Sequence, residues 1–342
     1  MEQPEGTWGW GKSQIGRLML AAVMAGAGLI GSGAAPATAE PDPIAEVSIY
    51  RSAEVPAFPG PAQPDHLAAA IYQKTHPNAV PVGVNNFACV PDPARPRPVV
   101  LAHGTDSSAY SDYSAIGPKL VSAGFCVFAL NYGGVPGAGS YGTEDMRVSA
   151  RQVGEFVDAV LAATGAAQVD LIGFSQGANV TRYWVNQFGG APKVGQWVGL
   201  ASPTYGGVMY GLVPVVESIG ILDVFVRVTS LAAVQQVQGS PVMTELNAGG
   251  DTVPGPKYVT IGSRVDEMIQ PFDNIAIRGP NASNLVLQDL CPSNLTGHFH
   301  MVYDSFVQEL LVQVLDPGSP APECRAVPLG TGIPQVIIAG NS

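Results

Sequence analysis

Ser175 stands at the centre of Gly173-Phe174-Ser175-Gln176-Gly177, directly after the apolar run Val169-Asp170-Leu171-Ile172. A serine at the tip of a sharp strand-to-helix turn can be lifted clear of a sheet and used as a nucleophile. Such a turn leaves no room for side chains two residues before and two after, and glycine alone has no Cβ. The helix that follows would point its positive end at an anion forming beside the serine. The same five residues also read as a glycine-rich βα turn with an incidental serine, so partners must be sought elsewhere.

A serine hydroxyl is a weak nucleophile until a base takes its proton and a carboxylate orients the base. On a strand–turn–helix nucleophile the partners follow in chain order, acid first and then histidine. Of five histidines, His66, His76 and His103 precede the serine, leaving His298 and His300. His298 follows Gly297, which suits a loop that presents an imidazole, and is preferred to His300. For the acid, Tyr258 to Gly262 reads as a strand running through Ser263-Arg264-Val265 to Asp266, with Pro271 stopping any continuation. Asp266 is therefore preferred to Glu267, Asp251, Asp273 and Asp289. Stabilising the oxyanion of acyl transfer needs two backbone donors. One comes from Gln176, after the nucleophile, and the other from the loop His103-Gly104-Thr105-Asp106, where Thr105 has both an N–H and a hydroxyl to offer. His103 reads as a structural residue beneath that loop.

The elements that must hold these residues alternate. Pro98–Ala102, Phe125–Leu130, Val169–Phe174, Val194–Ala201 and Lys257–Gly262 read as buried strands. Helices are expected at Tyr113–Ala123, stopped by Gly124, at Thr143–Gly165 with Thr143 as N-cap, at Asn179–Phe188, and from Asp304 onward. This rhythm predicts an α/β fold with a mostly parallel sheet covered by helices on both faces, and ligands bind beyond the carboxyl ends of such strands. Residues 205–250 break the rhythm. Val208 to Val234 is long and apolar, yet Glu217, Asp223 and Arg227 interrupt it, so a helical cap over the site or an ordinary buried helical hairpin is expected rather than a membrane span.

The chain has 342 residues, 46% of them hydrophobic, enough for one large core in residues 98–316. Residues 1–39 read as an export signal: Lys12 and Arg17, then Leu18 to Ile30 without a charge, then Ala37-Thr38-Ala39. Residues 40–97 read as an N-terminal extension that hugs the surface, with one helix near His66–Lys74, and 317–342 as a Pro/Gly-rich tail. The net charge of −11 argues against nucleic acid and anionic membranes as partners. Cys89, Cys126, Cys291 and Cys324 in an exported chain imply two disulfides. Near-neighbour pairing, Cys89–Cys126 and Cys291–Cys324, is expected, and no Cys-x-x-Cys spacing supports a zinc site.

Taken together, Gly104-Thr105, Ser175-Gln176-Gly177, Asp266-Glu267-Met268-Ile269-Gln270-Pro271 and Gly297-His298 resemble the family of Candida lipase B and related secreted bacterial lipases, from about Cys89 to Cys324. The resemblance implies an α/β-hydrolase fold with a helical lid region, and activity on triacylglycerols and simpler esters at a lipid–water interface. It assigns Ser175 as nucleophile, Asp266 as acid, His298 as base, and Thr105 and Gln176 as oxyanion donors. It also implies the two near-neighbour bridges, and neither metal nor organic cofactor. The yeast member has threonine at the position of Gly173, proline at that of His103, and a further C-terminal bridge. The expectation is a secreted lipase or carboxylesterase without a transmembrane anchor after signal removal. A cell-envelope acyltransferase or polyester hydrolase with the same triad, and a catalytically silent envelope-binding protein, are the rival readings.

Overall fold

A computed structural model describes residues 52–207 and 230–341. Its centre is a six-stranded, wholly parallel sheet. In chain order the strands are β3 (Val99–Ala102), β4 (Val127–Leu130), β5 (Val169–Phe174), β6 (Val194–Leu200), β7 (Lys257–Gly262) and β8 (Ala282–Val286), in the spatial order β4-β3-β5-β6-β7-β8. β5 lies inside the sheet, and every residue of it is buried. A strand buried on both faces needs no polar alternation, so β3 and β4 are apolar throughout, and the one charged residue of β5, Asp170, is paired with Arg97. The pleat still divides them. Val99, Leu101, Ile172 and Phe174 face one core cluster; Val100, Ala102, Val169 and Leu171 face the other.

The first face is covered by α2 (Ala109–Tyr113), α3 (Ile116–Ser122) and α9 (Ser305–Leu315). The opposite face is covered by α4 (Met146–Thr164) and α5 (Gln176–Gln187). Along α4, Met146, Val153, Phe156, Val157 and Val160 fall on one buried stripe, and Gly165 at φ 69° closes the helix. α4 starts later than its sequence suggests. Asp145, not Thr143, is the N-cap, its carboxylate accepting from Arg147 N at 2.7 Å. Thr143 is held instead by the carbonyl of Gly133. The helix expected at Tyr113–Ala123 is two short helices, because the Ser108 hydroxyl caps α2 early and the chain turns again at Ser114 and Ala115. α5 starts at Gln176, directly after the sharp turn at Ser175.

Other elements escaped the sequence reading. β1 (Phe58–Gly60) and β2 (Ala79–Pro81) form a separate parallel pair around α1 (His66–Thr75), which is the helix expected near His66–Lys74. Ala69, Ala79, Val80 and Val84 join the core with α2 and α3, so this extension is built into the domain rather than laid on it. β8 was hidden by its polar Ser283 and Asn284, which an edge strand can carry, and the short α8 (Leu287–Leu290) follows it. In the tail, α10 (Ile333–Asn341) follows the Pro/Gly-rich stretch. Of the expected cap, α6 (Leu231–Gln235) and α7 (Pro241–Asn247) are present, whereas 208–229 lie outside the described residues. The expected export signal also lies outside them. Among the described residues no helix is long and apolar enough to cross a membrane.

Candidate active site

Ser175 takes φ 52° and ψ −120°, a conformation that side-chain-bearing residues avoid. Its N–H donates to Leu200 O at 2.8 Å, so the neighbouring strand locks the turn. The two flanking glycines are sterically required. A Cβ on Gly173 would come within 2.4 Å of the Gly177–Ala178 backbone, and one on Gly177 within 2.0 Å of Ala102 O. The turn is thus wedged between its own helix and β3.

Asp266 sits in the turn after β7. Its Oδ1 accepts from Met268 N at 2.9 Å and Ile269 N at 2.7 Å, fixing the carboxylate. Its Oδ2 lies 3.0 Å from His298 Nδ1, and His298 Nε2 lies 3.1 Å from Ser175 Oγ. All three side chains are buried. The imidazole is aimed by its backbone as well, because His298 N–H donates to the Glu267 carboxylate. Gly297 makes that possible, since a Cβ there would stand 2.1 Å from Glu267 Oε1. Burial works most strongly against protonating His298. The Asp266 charge and hydrogen bond, helped by Glu267 and Asp112, overcome it and hold the imidazole above its ordinary 6.5. Burial likewise lifts the Glu267 carboxyl above its usual range, against the backbone N–H groups that favour its ionised form.

The loop after β3 faces the nucleophile turn. Asp112, buried beneath it, accepts Gly104 N–H at 2.6 Å and the Ser107 hydroxyl at 2.7 Å. His103 stacks on Tyr132 with ring centroids 4.2 Å apart. Its Nδ1 meets Gly104 O at 2.8 Å, and its Nε2 meets Tyr132 N–H at 3.3 Å. Only the neutral Nδ1–H tautomer satisfies both. Burial, outweighing the Gly104 hydrogen bond and the Asp112 charge, pushes this imidazole down to about 4. Its role is to brace the loop, as its sequence position suggested. Thr105 is joined to the Gln176 side chain across this gap.

A buried serine, imidazole and carboxylate joined in this order can relay a proton from an alcohol, and a helix N-terminus beside them can hold an anion. The profile of the lipase (class 2) family matches residues 96–308, more than half of the chain. The chain belongs to the class 2 lipase family. No curated protein matches it. Aspergillus fumigatus lipase B is similar in fold, with a TM-score of 0.55 at 20% identity over 71% of this chain and 56% of that one. The Bacillus licheniformis lipase BlEst2 in its propeptide form gives 0.51 at 18% identity, over 71% of this chain and 54% of that one. The chain therefore spans little more than half the length of these two structures. The sheet order, the flanking helices and this likeness give the chain an α/β-hydrolase fold.

In this class 2 lipase fold, Ser175, Asp266 and His298 come together, with Gln176 and Thr105 beside them. His300 does not contact the serine; it is half-buried, and its backbone carbonyl accepts from Tyr303 and Asp304. The bridges Cys89–Cys126 and Cys291–Cys324 are both formed. Among the described residues no group of acidic, histidine or cysteine side chains could hold a metal. Sequence reasoning missed Asp112, the His298 N–H contact of Glu267, and Gln236, whose amide reaches Thr105. The adjacent pair Gln235-Gln236 within the apolar run Leu231 to Val237 was a usable signal, because buried amides must find partners.

Proposed function

We propose that this chain is a secreted serine ester hydrolase, a triacylglycerol lipase or carboxylesterase working through an acyl-enzyme. The single observation that carries the reading is the unbroken Asp266–His298–Ser175 chain, with contacts of 3.0 and 3.1 Å. Ser175 Oγ attacks the ester carbonyl while His298 Nε2 takes its proton. The imidazolium then protonates the leaving alcohol, and Asp266 steadies it and fixes its tautomer. Water, deprotonated by the same imidazole, releases the acid. The backbone N–H groups of Thr105 and Gln176 hold the tetrahedral oxyanion.

Family membership supports an ester substrate, a glyceride at a lipid–water interface or a simpler soluble ester. The two disulfides support an oxidising destination. The composition of residues 1–39 supports an export signal, leaving 40–97 as the extension, 98–316 as the catalytic domain with a cap near 205–250, and 317–342 as the tail. Purified Ser175→Ala should lose p-nitrophenyl ester hydrolysis by about 10⁶-fold and lose labelling by a fluorophosphonate. Hydrolysis retained in that variant would overturn the mechanism. A series of esters from acetyl to long-chain glycerides separates lipase from esterase behaviour.

A further inference from the structure

Asp266 and Glu267 are consecutive, and their carboxylates bind one residue at two different points. Asp266 Oδ2 lies 3.0 Å from the ring nitrogen Nδ1 of His298, and the Glu267 carboxylate accepts the His298 backbone N–H. The turn that carries the pair is itself braced. Asp266 Oδ1 accepts from Met268 N and Ile269 N, and the Asp266 carbonyl accepts from Gln270 Nε2 at 2.7 Å. Gly297 lets the Glu267 carboxylate lie flat against the chain, since a Cβ there would stand 2.1 Å from Oε1 and 2.2 Å from Oε2. Ring and main chain of His298 are thus gripped from a single turn, and the imidazole held between them reaches Ser175 Oγ at 3.1 Å.

A hydrogen bond to Nδ1 alone leaves an imidazole free to pivot about that contact. A displacement of about 1 Å at a reacting group can cost about 100-fold in rate. Fixing the main chain of the same residue removes the pivot. Charge acts alongside geometry. The charges facing the imidazole are those of Asp266 and Glu267 in the turn after β7 and of Asp112 in α2. His300 is the other titratable side chain of the His298–His300 turn, and α10, packed against that turn, has none. Among the described residues neither Asp266 nor Glu267 is paired with a lysine or arginine. An uncompensated carboxylate beside an imidazole favours its protonated form. In return, the His298 N–H and the imidazolium charge favour the ionised form of Glu267.

We propose that Glu267 is a positioning residue that acts through His298: its carboxylate clamps the histidine main chain so that the ring bridges Asp266 and Ser175, and its charge adds to that of Asp266 beside the imidazolium formed during acyl transfer. This inference rests on the serine-hydrolase reading and deepens it. Asp266 sets the tautomer of the ring, and Glu267 sets where the ring stands.

The test is a set of Glu267 variants of the purified full chain, assayed with soluble p-nitrophenyl butyrate from pH 5 to pH 9. Glu267→Gln keeps the shape and an oxygen for the His298 N–H but carries no charge. The acid-limb midpoint of its kcat/KM profile should move down by about half a pH unit to one unit. Glu267→Ala loses clamp and charge together. Its kcat should fall about 10- to 100-fold with KM little changed, a larger loss than in Glu267→Gln, and its midpoint should move down as well. Glu267→Asp keeps the charge on a side chain one methylene shorter, so kcat should fall while the midpoint stays near the wild-type value. A merely structural role would lower the melting temperature and leave the midpoint in place. A Glu267→Gln midpoint equal to that of the wild type would overturn the proposal, as would a Glu267→Ala enzyme with wild-type kcat. If Glu267→Ala does not fold, the isosteric Glu267→Gln decides by its midpoint. The failure of the parent reading is distinct, because only Ser175→Ala retaining activity reports it.

Discussion

At the nucleophile turn, position is enforced by backbone against backbone: Gly177 lies so close to β3 that a methyl group would overlap Ala102 O, and Ser175 N–H is pinned to Leu200 O. The opposite side of the same site, formed by residues 231–251, is held by side chains. Gln235 reaches the start of α4, Gln236 reaches Thr105, and the buried Arg182 of α5 donates to Thr204 O, Asn247 Oδ1 and Asp251 O. Burial pulls that guanidinium down to about 10 against the Asp251 charge, so its full charge is retained at neutral pH. The first side depends on the absence of atoms and the second on directed amides and a guanidinium. Steric walls fix a nucleophile to a fraction of an ångström without needing a partner. Hydrogen-bonded tethers fix direction, which a proton donor requires, and can be rebuilt one residue at a time.

The largest effect is expected from Asp266→Asn, which breaks the hydrogen-bonded chain that ends at the walled serine. It preserves shape but presents an N–H or the wrong tautomer to the imidazole, and kcat should fall about 10⁴-fold while the melting temperature changes little. A loss under tenfold would show that the rate does not depend on the carboxylate. Next in size is Gly177→Ala. A Cβ 2.0 Å from a backbone oxygen cannot be relieved by a rotamer change, so stability should fall by about 3 kcal/mol or more. Gly340→Ala in α10, where a Cβ meets nothing within 4 Å, is the matched control and should be neutral. Equal urea midpoints for the two variants would dissolve the contrast between walls and tethers.

Legibility in the sequence followed the same division. The Ser175 turn could be read because steric demands leave glycines at fixed offsets, and β5 and β7 because their mostly apolar residues cluster between turn signals. Asp266 and His298 could be placed from chain order and from Gly297, whose small size the structure explains through Glu267. The tethers are long-range pairs of ordinary polar residues. Gln236 lies 131 positions from Thr105, and no local pattern specifies such a partner. Asp112 stands one residue ahead of the helix expected at Tyr113–Ala123 and gave no signal of its own, although its carboxylate supports the loop after β3. β8 and α10 were missed for a different reason: an edge strand and a terminal helix need no strong hydrophobic period.

Two buried imidazoles extend the comparison to pH, with the smallest expected effect. His298 is held above 6.5 and must be neutral to accept the serine proton, so kcat/KM should rise with pH through a midpoint above 6.5. Because its folded pKa is raised, its contribution to stability is fully present below 6.5 and is lost as pH rises through the folded value. His103 has the opposite sign. With a folded pKa of about 4, its stabilising contribution is present above 6.5 and is lost as pH falls from 6.5 toward 4, a change of about 3 kcal/mol. On acidification, then, activity should fail first and the loop after β3 should loosen later. Initial rates and urea midpoints measured in parallel from pH 8 to pH 4 resolve the two phases. A rate midpoint at or below 6.5, or a stability loss that precedes the rate loss, would mean that the Asp266 charge does not govern the imidazole beside Ser175.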